Sequence, residues 1–153
     1  MLKKIHVYDM DGVLVDTSHR YRNHNGAIDL DHWRANCHKV DLDTLLPHAA
    51  KFAADCANSE IYVILCTARQ YHPRDISFIY SRLGNPDKII MRPYGDNSPD
   101  AKLKRRHLAR LFNLRQFKHL PRFFWEDNKR NIAACRELFT RCFFVPSRIT
   151  END

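Results

Sequence analysis

Five short apolar runs, at 5–8, 61–66, 88–91, 123–125 and 142–145, punctuate this 153-residue chain, and none alternates polar with apolar residues. A strand with one wet face alternates; a strand covered on both faces does not. Between the runs lie helical stripes. Leu45, Ala49, Phe52, Ala53 and Cys56 share one face; Ile76, Ile79, Tyr80 and Leu83 share a second. Leu103, Leu108, Leu111 and Phe112 form a third, and Ile132, Ala133, Cys135, Arg136 and Phe139 a fourth, less regular one. Buried strands alternating with helices imply a parallel sheet with helices on both faces, a three-layer α/β/α Rossmann-like sandwich. At this length one domain, residues 1–153, is expected.

Residues 16–44 break the pattern. They are polar, rich in His, Arg and Asn, and weakly helical only around 31–38. They read as a small cap-like insert after the first strand, folding over the mouth of a site. Residues 147–153 read as a frayed tail.

In open parallel sheets ligands bind where strands deliver their C-terminal ends. The first run ends in Asp9-Met10-Asp11-Gly12, the second in Thr67-Ala68-Arg69, the third in Arg92, and the fourth in Glu126-Asp127-Asn128. Four carboxylates, a hydroxyl and two guanidiniums therefore converge on one sheet edge. Crowded carboxylates repel unless a cation joins them, and oxygen-only donors without His or Cys suit Mg²⁺. Such a site fits a phosphoryl group.

Beyond Arg92, Ser98-Pro99-Asp100 reads as a helix start, with Ser98 as N-cap and Pro99 at the first helical position. Two lysines follow. Lys104 has Leu108 and Leu111 at i+4 and i+7 and faces the buried stripe; Lys102 falls on the solvent side. A lysine facing the core near a helix start is neutralised beside Asp9 and a phosphate, so Lys104 is the expected active-site cation.

Composition limits the partners. Net charge is +7, and from Lys102 to Arg122 there are eight Lys or Arg and no acid. That run is either a solvated face or a contact for a polyanion. No apolar stretch reaches membrane-spanning length, which speaks against a membrane partner. Residues 1–4 lack a signal-peptide core, and the five cysteines are odd in number with no C-x-x-C pair. Reduced thiols in a cytoplasmic protein are the expectation.

Asp9-x-Asp11-Gly12-Val13, Thr67, Lys104 and Glu126-Asp127, in this order, resemble the four motifs of the haloacid dehalogenase (HAD) superfamily of phosphohydrolases. Within it, Asp16-Thr17-Ser18-His19-Arg20, Cys66-Thr67-Ala68-Arg69 and Met91-Arg92-Pro93-Tyr94-Gly95-Asp96 are similar to the phosphatase domains of phage polynucleotide kinase/phosphatases. No G-x-x-x-x-G-K-[ST] segment occurs in these residues, so a P-loop kinase half is not expected among them. Glu126 stands where those relatives usually have Asp, and Asn128 where many have Arg.

The resemblance implies Asp9 as nucleophile, Asp11 as general acid and base, and Thr67 and Lys104 as phosphate-stabilising groups. It implies Gly12, Ala68, Arg69 and Arg92 around the substrate, and Mg²⁺ held by Asp9, Asp11, Asp127 and Glu126. The expected activity is Mg²⁺-dependent removal of phosphate from nucleic acid 3′-ends or nucleotides, in a bacterial cell or a phage-infected host. A 5′-nucleotidase or general small-molecule phosphatase is the alternative, and a non-catalytic nucleic-acid-binding module the third. Oligomeric state is not legible.

Overall fold

The structure is a computed structural model, and it describes residues 1–24 and 27–148. In chain order come β1 (Lys4–Tyr8), β2 (Val15–Asp16), β3 (Asn23–His24), β4 (Ala27–Ile28), α1 (Leu30–Ala35), β5 (Thr44–Leu45) and α2 (His48–Cys56). Then follow β6 (Ile61–Gln70), α3 (Pro73–Phe78), β7 (Lys88–Arg92), α4 (Asp100–Phe112), β8 (Arg122–Glu126), α5 (Lys129–Cys135) and β9 (Arg141–Phe144). Five of the strands form one sheet in the order β7-β6-β1-β8-β9, every pair parallel. This is the three-layer α/β sandwich expected from the non-alternating runs.

Each central strand is dry on both faces. On β6, Val63 and Leu65 join the layer under α2 and α3, with Phe52, Phe78, Ile79 and Leu83. Ile64 and Cys66 join the opposite layer, with Leu108, Phe112 and Cys135 of α4 and α5. β1 divides likewise, with Tyr8 on the α2 side and Ile5 and Val7 on the α4 side. Burying a Leu, Ile or Phe side chain is worth roughly 1.5–3 kcal/mol, so the two-sided burial specifies strand register as well as fold.

Several local expectations are revised. The second stripe is α3 followed by a π-helical turn, Ile79–Leu83, which leaves Tyr80 exposed. On α2, Ala49, Phe52 and Asp55 are buried, while Ala53 is exposed, as is Leu45 just before the helix. Asp55 faces inward because His6 and Tyr8 of β1 hydrogen-bond it, at 2.7 and 2.5 Å. Pro99, not Ser98, caps α4; the Ser98 hydroxyl instead bonds the Asp96 carboxylate.

The insert holds the β2–β5 and β3–β4 pairs, α1 and a 3-10 turn, Cys37–Leu42. Its residues Asn25 and Gly26 lie outside the described residues. Of the expected frayed tail, Ser147 is buried, and 149–153 lie outside the described residues. No helix among the described residues is long and apolar enough to cross a membrane. All five cysteines are free.

Candidate active site

β1 is the central strand, and the chain departs from it to β6 and β7 on one flank and to β8 and β9 on the other. This switch opens a crevice at the strands' carboxyl ends. Asp9 follows β1 directly and keeps its ladder, its N–H donating to the Trp125 carbonyl at 2.9 Å. Then the chain turns: the Leu14 and Val15 N–H groups return to the Met10 carbonyl, and the Gly12 N–H donates to Val15. Gly12 sits at φ +83°, and a β-carbon there would overlap the Asp127 carboxylate. The turn therefore requires glycine twice over, for its conformation and for the space it leaves to Asp127.

Lys104 lies in the second turn of α4 and is 1% exposed. Its Nζ donates to Asp9 Oδ1 and to Glu126 Oε2, both at 2.7 Å. Lys102 is exposed on the other side of the helix. The second oxygen of Glu126 accepts the Asn128 N–H at 3.2 Å. Asp127 accepts from the Ser147 hydroxyl at 2.7 Å. Oxygens of Asp9, Glu126 and Asp127 all lie within 4.8 Å of one another, and all three residues are buried.

Three buried carboxylates against one ammonium leave negative charge uncompensated. Burial, with Glu126 nearby, pushes the Asp9 carboxyl well above the usual carboxylate range even though Lys104 opposes it. Burial and Glu126 likewise push Asp127 up to about 7. Glu126 is held low: burial would raise it, but Lys104 and hydrogen bonding with Asp9 and Asp127 together outweigh burial. A hard divalent cation relieves this repulsion, and the donor set, all oxygen and acidic, fits Mg²⁺.

β6 runs on through Thr67, Ala68 and Arg69 to Gln70 rather than stopping at Cys66. Its pairing with β7 slips there: Cys66 faces Ile90 and Gln70 faces Arg92, so four steps on β6 match two on β7. Such a bulge re-aims side chains at a sheet edge. Thr67 is buried, and its Oγ1 accepts the Arg69 N–H at 3.2 Å. Ala68 offers its carbonyl to Arg92 Nε at 3.0 Å.

Arg69 is 6% exposed and grips Asp11 with two prongs, at 2.6 and 3.0 Å. It also donates to Asp75 at 2.9 Å and to Asp43 at 3.2 Å. Burial alone would lower its affinity for the proton; Asp11, Asp75 and Asp43 together raise it. Arg92 spends its donors on Ala68, on the Asp96 and Ser98 carbonyls and on Asp100, which ties the β7–α4 connection together.

The structure thus gathers Asp9, Lys104, Glu126, Asp127 and Gly12 into one cluster. Asp11 and Arg69 form a second unit, and Arg92 serves the loop behind α4. Ser147, Asp75 and Asp43 escaped sequence reasoning, and Arg20, named only within the Asp16–Arg20 motif, is buried rather than on the surface of the insert. Ser147 carried a readable signal, since it follows β9 at the same sheet edge. Asp43 carried none, because it sits in a polar segment whose burial depends on residues far along the chain.

A family model described as bacteriophage T5 5′-deoxynucleotidase matches residues 1–121. Among solved structures, a chain of the Pnkp1/Rnl/Hen1 RNA repair complex superposes with a TM-score of 0.69 at 24% identity, covering 95% of this chain and 43% of that one. A haloacid dehalogenase-like hydrolase from Streptococcus pneumoniae gives 0.65 at 12% identity, covering 96% and 88%. The HAD domain of effector protein Lem4 from Legionella pneumophila gives 0.55 at 13%, covering 95% and 86%. These likenesses establish a HAD-type fold. A soluble pyridine nucleotide transhydrogenase from Citrobacter koseri is 33% identical over 57 residues, 37% of this chain and 12% of that protein. The chain spans only about an eighth of that relative.

Proposed function

Since the chain belongs to the bacteriophage T5 5′-deoxynucleotidase family, a phosphohydrolase family, we propose that it removes the 5′-phosphate from deoxynucleoside monophosphates, with residues 1–153 as one catalytic domain. The observation that carries the reading is the Asp9 carboxylate at the β1 switch point, 2.7 Å from a buried Lys104 and within 4.8 Å of Glu126 and Asp127. Binding alone needs no such arrangement.

In this reading Asp9 attacks phosphorus. A bond forms from its carboxylate to phosphorus, and the bond to the nucleoside oxygen breaks, leaving an aspartyl-phosphate. Asp11 gives its proton to the departing oxygen, then takes one from the water that cleaves the intermediate. Lys104 and Thr67 hold the equatorial oxygens as charge develops. Asp9, Asp127 and the Asp11 backbone carbonyl would hold Mg²⁺, which when bound screens nucleophile from phosphate. Glu126 is the next available donor, but its two oxygens already serve Lys104 and the Asn128 N–H, and its first task is to anchor the lysine. Gly12 and the bulged Thr67–Arg69 segment shape the phosphate's approach.

A second reading, phosphate removal from nucleic acid 3′-ends, draws on the acid-free stretch from Lys102 to Arg122, where Lys102, Arg106, Arg110, Arg115 and Lys118 are exposed. One experiment separates the two. Phosphate release is measured from deoxynucleoside 5′-monophosphates, a 3′-phosphorylated oligonucleotide and a 5′-phosphorylated one, with Mg²⁺ and with chelator, for wild type and Asp9→Asn. The first reading expects mononucleotide turnover that depends on Mg²⁺ and is lost in Asp9→Asn. Preference for the 3′-phosphorylated oligonucleotide, falling steeply with salt, would replace it with the second. No release from any substrate overturns both.

A further inference from the structure

We propose that Asp43, carried by the insert, is a positioning residue for Asp11, acting through Arg69. The proposal rests on the phosphatase reading above and assigns the insert a part in the proton-transfer step.

The observation is a continuous chain of ion pairs, buried at Arg20, Asp43 and Arg69 and reaching the partly exposed Asp11. Asp43 is 1% exposed. Its Oδ1 accepts from Arg20 Nε at 2.8 Å and lies 2.7 Å from His19 Nε2. Its Oδ2 accepts from Arg20 Nη2 at 2.7 Å and from Arg69 Nη2 at 3.2 Å. Arg69 passes the constraint on, with Nη2 and Nε clamping the two oxygens of Asp11 and Nη1 bound to Asp75. The Trp33 ring covers both arginines, its centroid 4.2 Å from Arg20 Cζ and 5.5 Å from Arg69 Cζ.

A guanidinium is a rigid planar fork, so fixing its nitrogens fixes whatever the remaining edge holds. Asp43 and Asp75 hold two corners of Arg69; the third edge holds Asp11. With its donors committed to three carboxylates, Arg69 is placed to aim Asp11 rather than to take the substrate phosphate. Burying several ions is also an inefficient way to fasten an insert, because desolvation consumes most of the Coulombic gain. What the arrangement supplies is orientation. Asp11 lies in a turn, three residues beyond β1, and among the described residues Arg69 is the side-chain partner that fixes its carboxylate.

The test uses leaving-group chemistry, which a merely structural role would not move. A deoxynucleoside departs as an alkoxide and needs the Asp11 proton as its bond to phosphorus breaks. p-Nitrophenolate is stable as the anion and departs without it. We compare kcat/KM, which reports formation of the aspartyl-phosphate, for a deoxynucleoside 5′-monophosphate and for p-nitrophenyl phosphate. Asp43→Asn keeps the side chain's shape and removes its charge. It is expected to lower kcat/KM for the nucleotide by on the order of 10²-fold, the scale of lost general-acid catalysis, and to leave p-nitrophenyl phosphate within severalfold of wild type. Equal losses on both substrates would show that Asp43 only fastens the insert, and would overturn the proposal while leaving the phosphatase reading intact. Absence of turnover by wild type on either substrate would remove the reading itself. If Asp43→Asn does not fold, Arg20→Lys decides: it keeps the opposing charge but loses the two-pronged grip on Asp43, and the same unequal loss is expected.

Discussion

At the scale of single residues, the site is held by side chains with no slack. Gly12→Ala introduces a β-carbon into the space of the Asp127 carboxylate at a φ of +83°. The left-handed backbone alone costs about 1–2 kcal/mol for a residue with a β-carbon, and the overlap adds to it. We expect lower stability in denaturant unfolding together with lost turnover. Lys104→Met leaves Asp9 and Glu126 facing each other in a dry pocket. Breaking a buried pair from one side costs about 3–5 kcal/mol, so the variant should be inactive and visibly destabilised. Lys102→Ala, one helical face away and exposed, should stay within about 0.5 kcal/mol of wild type and retain turnover. An inactive Lys102→Ala with an active Lys104→Met would reverse the assignment of the two lysines.

At the scale of elements, β1 and α2 are joined by a polar cluster inside an apolar layer. Asp55 accepts from the Tyr8 hydroxyl and from Lys51, with His6 at 2.7 Å. Burial holds the His6 imidazole below its ordinary 6.5, outweighing the attraction of Asp55. A base with a lowered folded value takes a proton more readily in the unfolded chain. Its contribution to stability is therefore complete above about pH 6.5 and declines as pH falls from there toward the folded value. The Asp55 carboxyl is held low by Tyr8, His6 and Lys51 against the upward push of burial, so its own contribution is lost only in stronger acid. Thermal melts of His6→Gln across pH 5–7.5 should show a flatter acid limb than wild type; an unchanged slope would mean that His6 does not titrate with unfolding.

At the scale of the whole molecule, two global quantities matter. The first is cation linkage. If Asp9 and Asp127 hold Mg²⁺ only in the folded state, adding it at about 100 times its Kd raises stability by about 2.7 kcal/mol, or roughly 5–10 °C in Tm. Chelator should reverse the shift and Asp127→Asn should abolish it; a Tm indifferent to Mg²⁺ in wild type would refute the proposed ligand set without any activity assay. The second is charge. At +7, the protein should associate with polyanions at low ionic strength and release them as salt rises. Mononucleotide turnover should be far less salt-sensitive, because a single phosphate displaces few counterions.

Much of this protein was legible in its residues alone, for a physical reason. Periodicity is local: non-alternating runs announced a parallel sheet, and the i+4, i+7 spacing from Lys104 to Leu108 and Leu111 told which lysine faces inward. Residue chemistry is local too, so acids, a hydroxyl and guanidiniums at strand ends pointed to a phosphoryl site. The tertiary structure alone decided which groups pair. Lys104 meets Asp9 across 95 residues, and Arg69 meets Asp11 across 58. The slip between β6 and β7 that turns Thr67 and Arg69, the burial of Asp43 in a segment that reads as polar surface, and the contact of Ser147 with Asp127 all arise from packing between distant elements. A carboxylate looks the same in sequence whether it will face water, a lysine or an arginine; only the neighbours that folding brings to it determine its charge, its direction and its task.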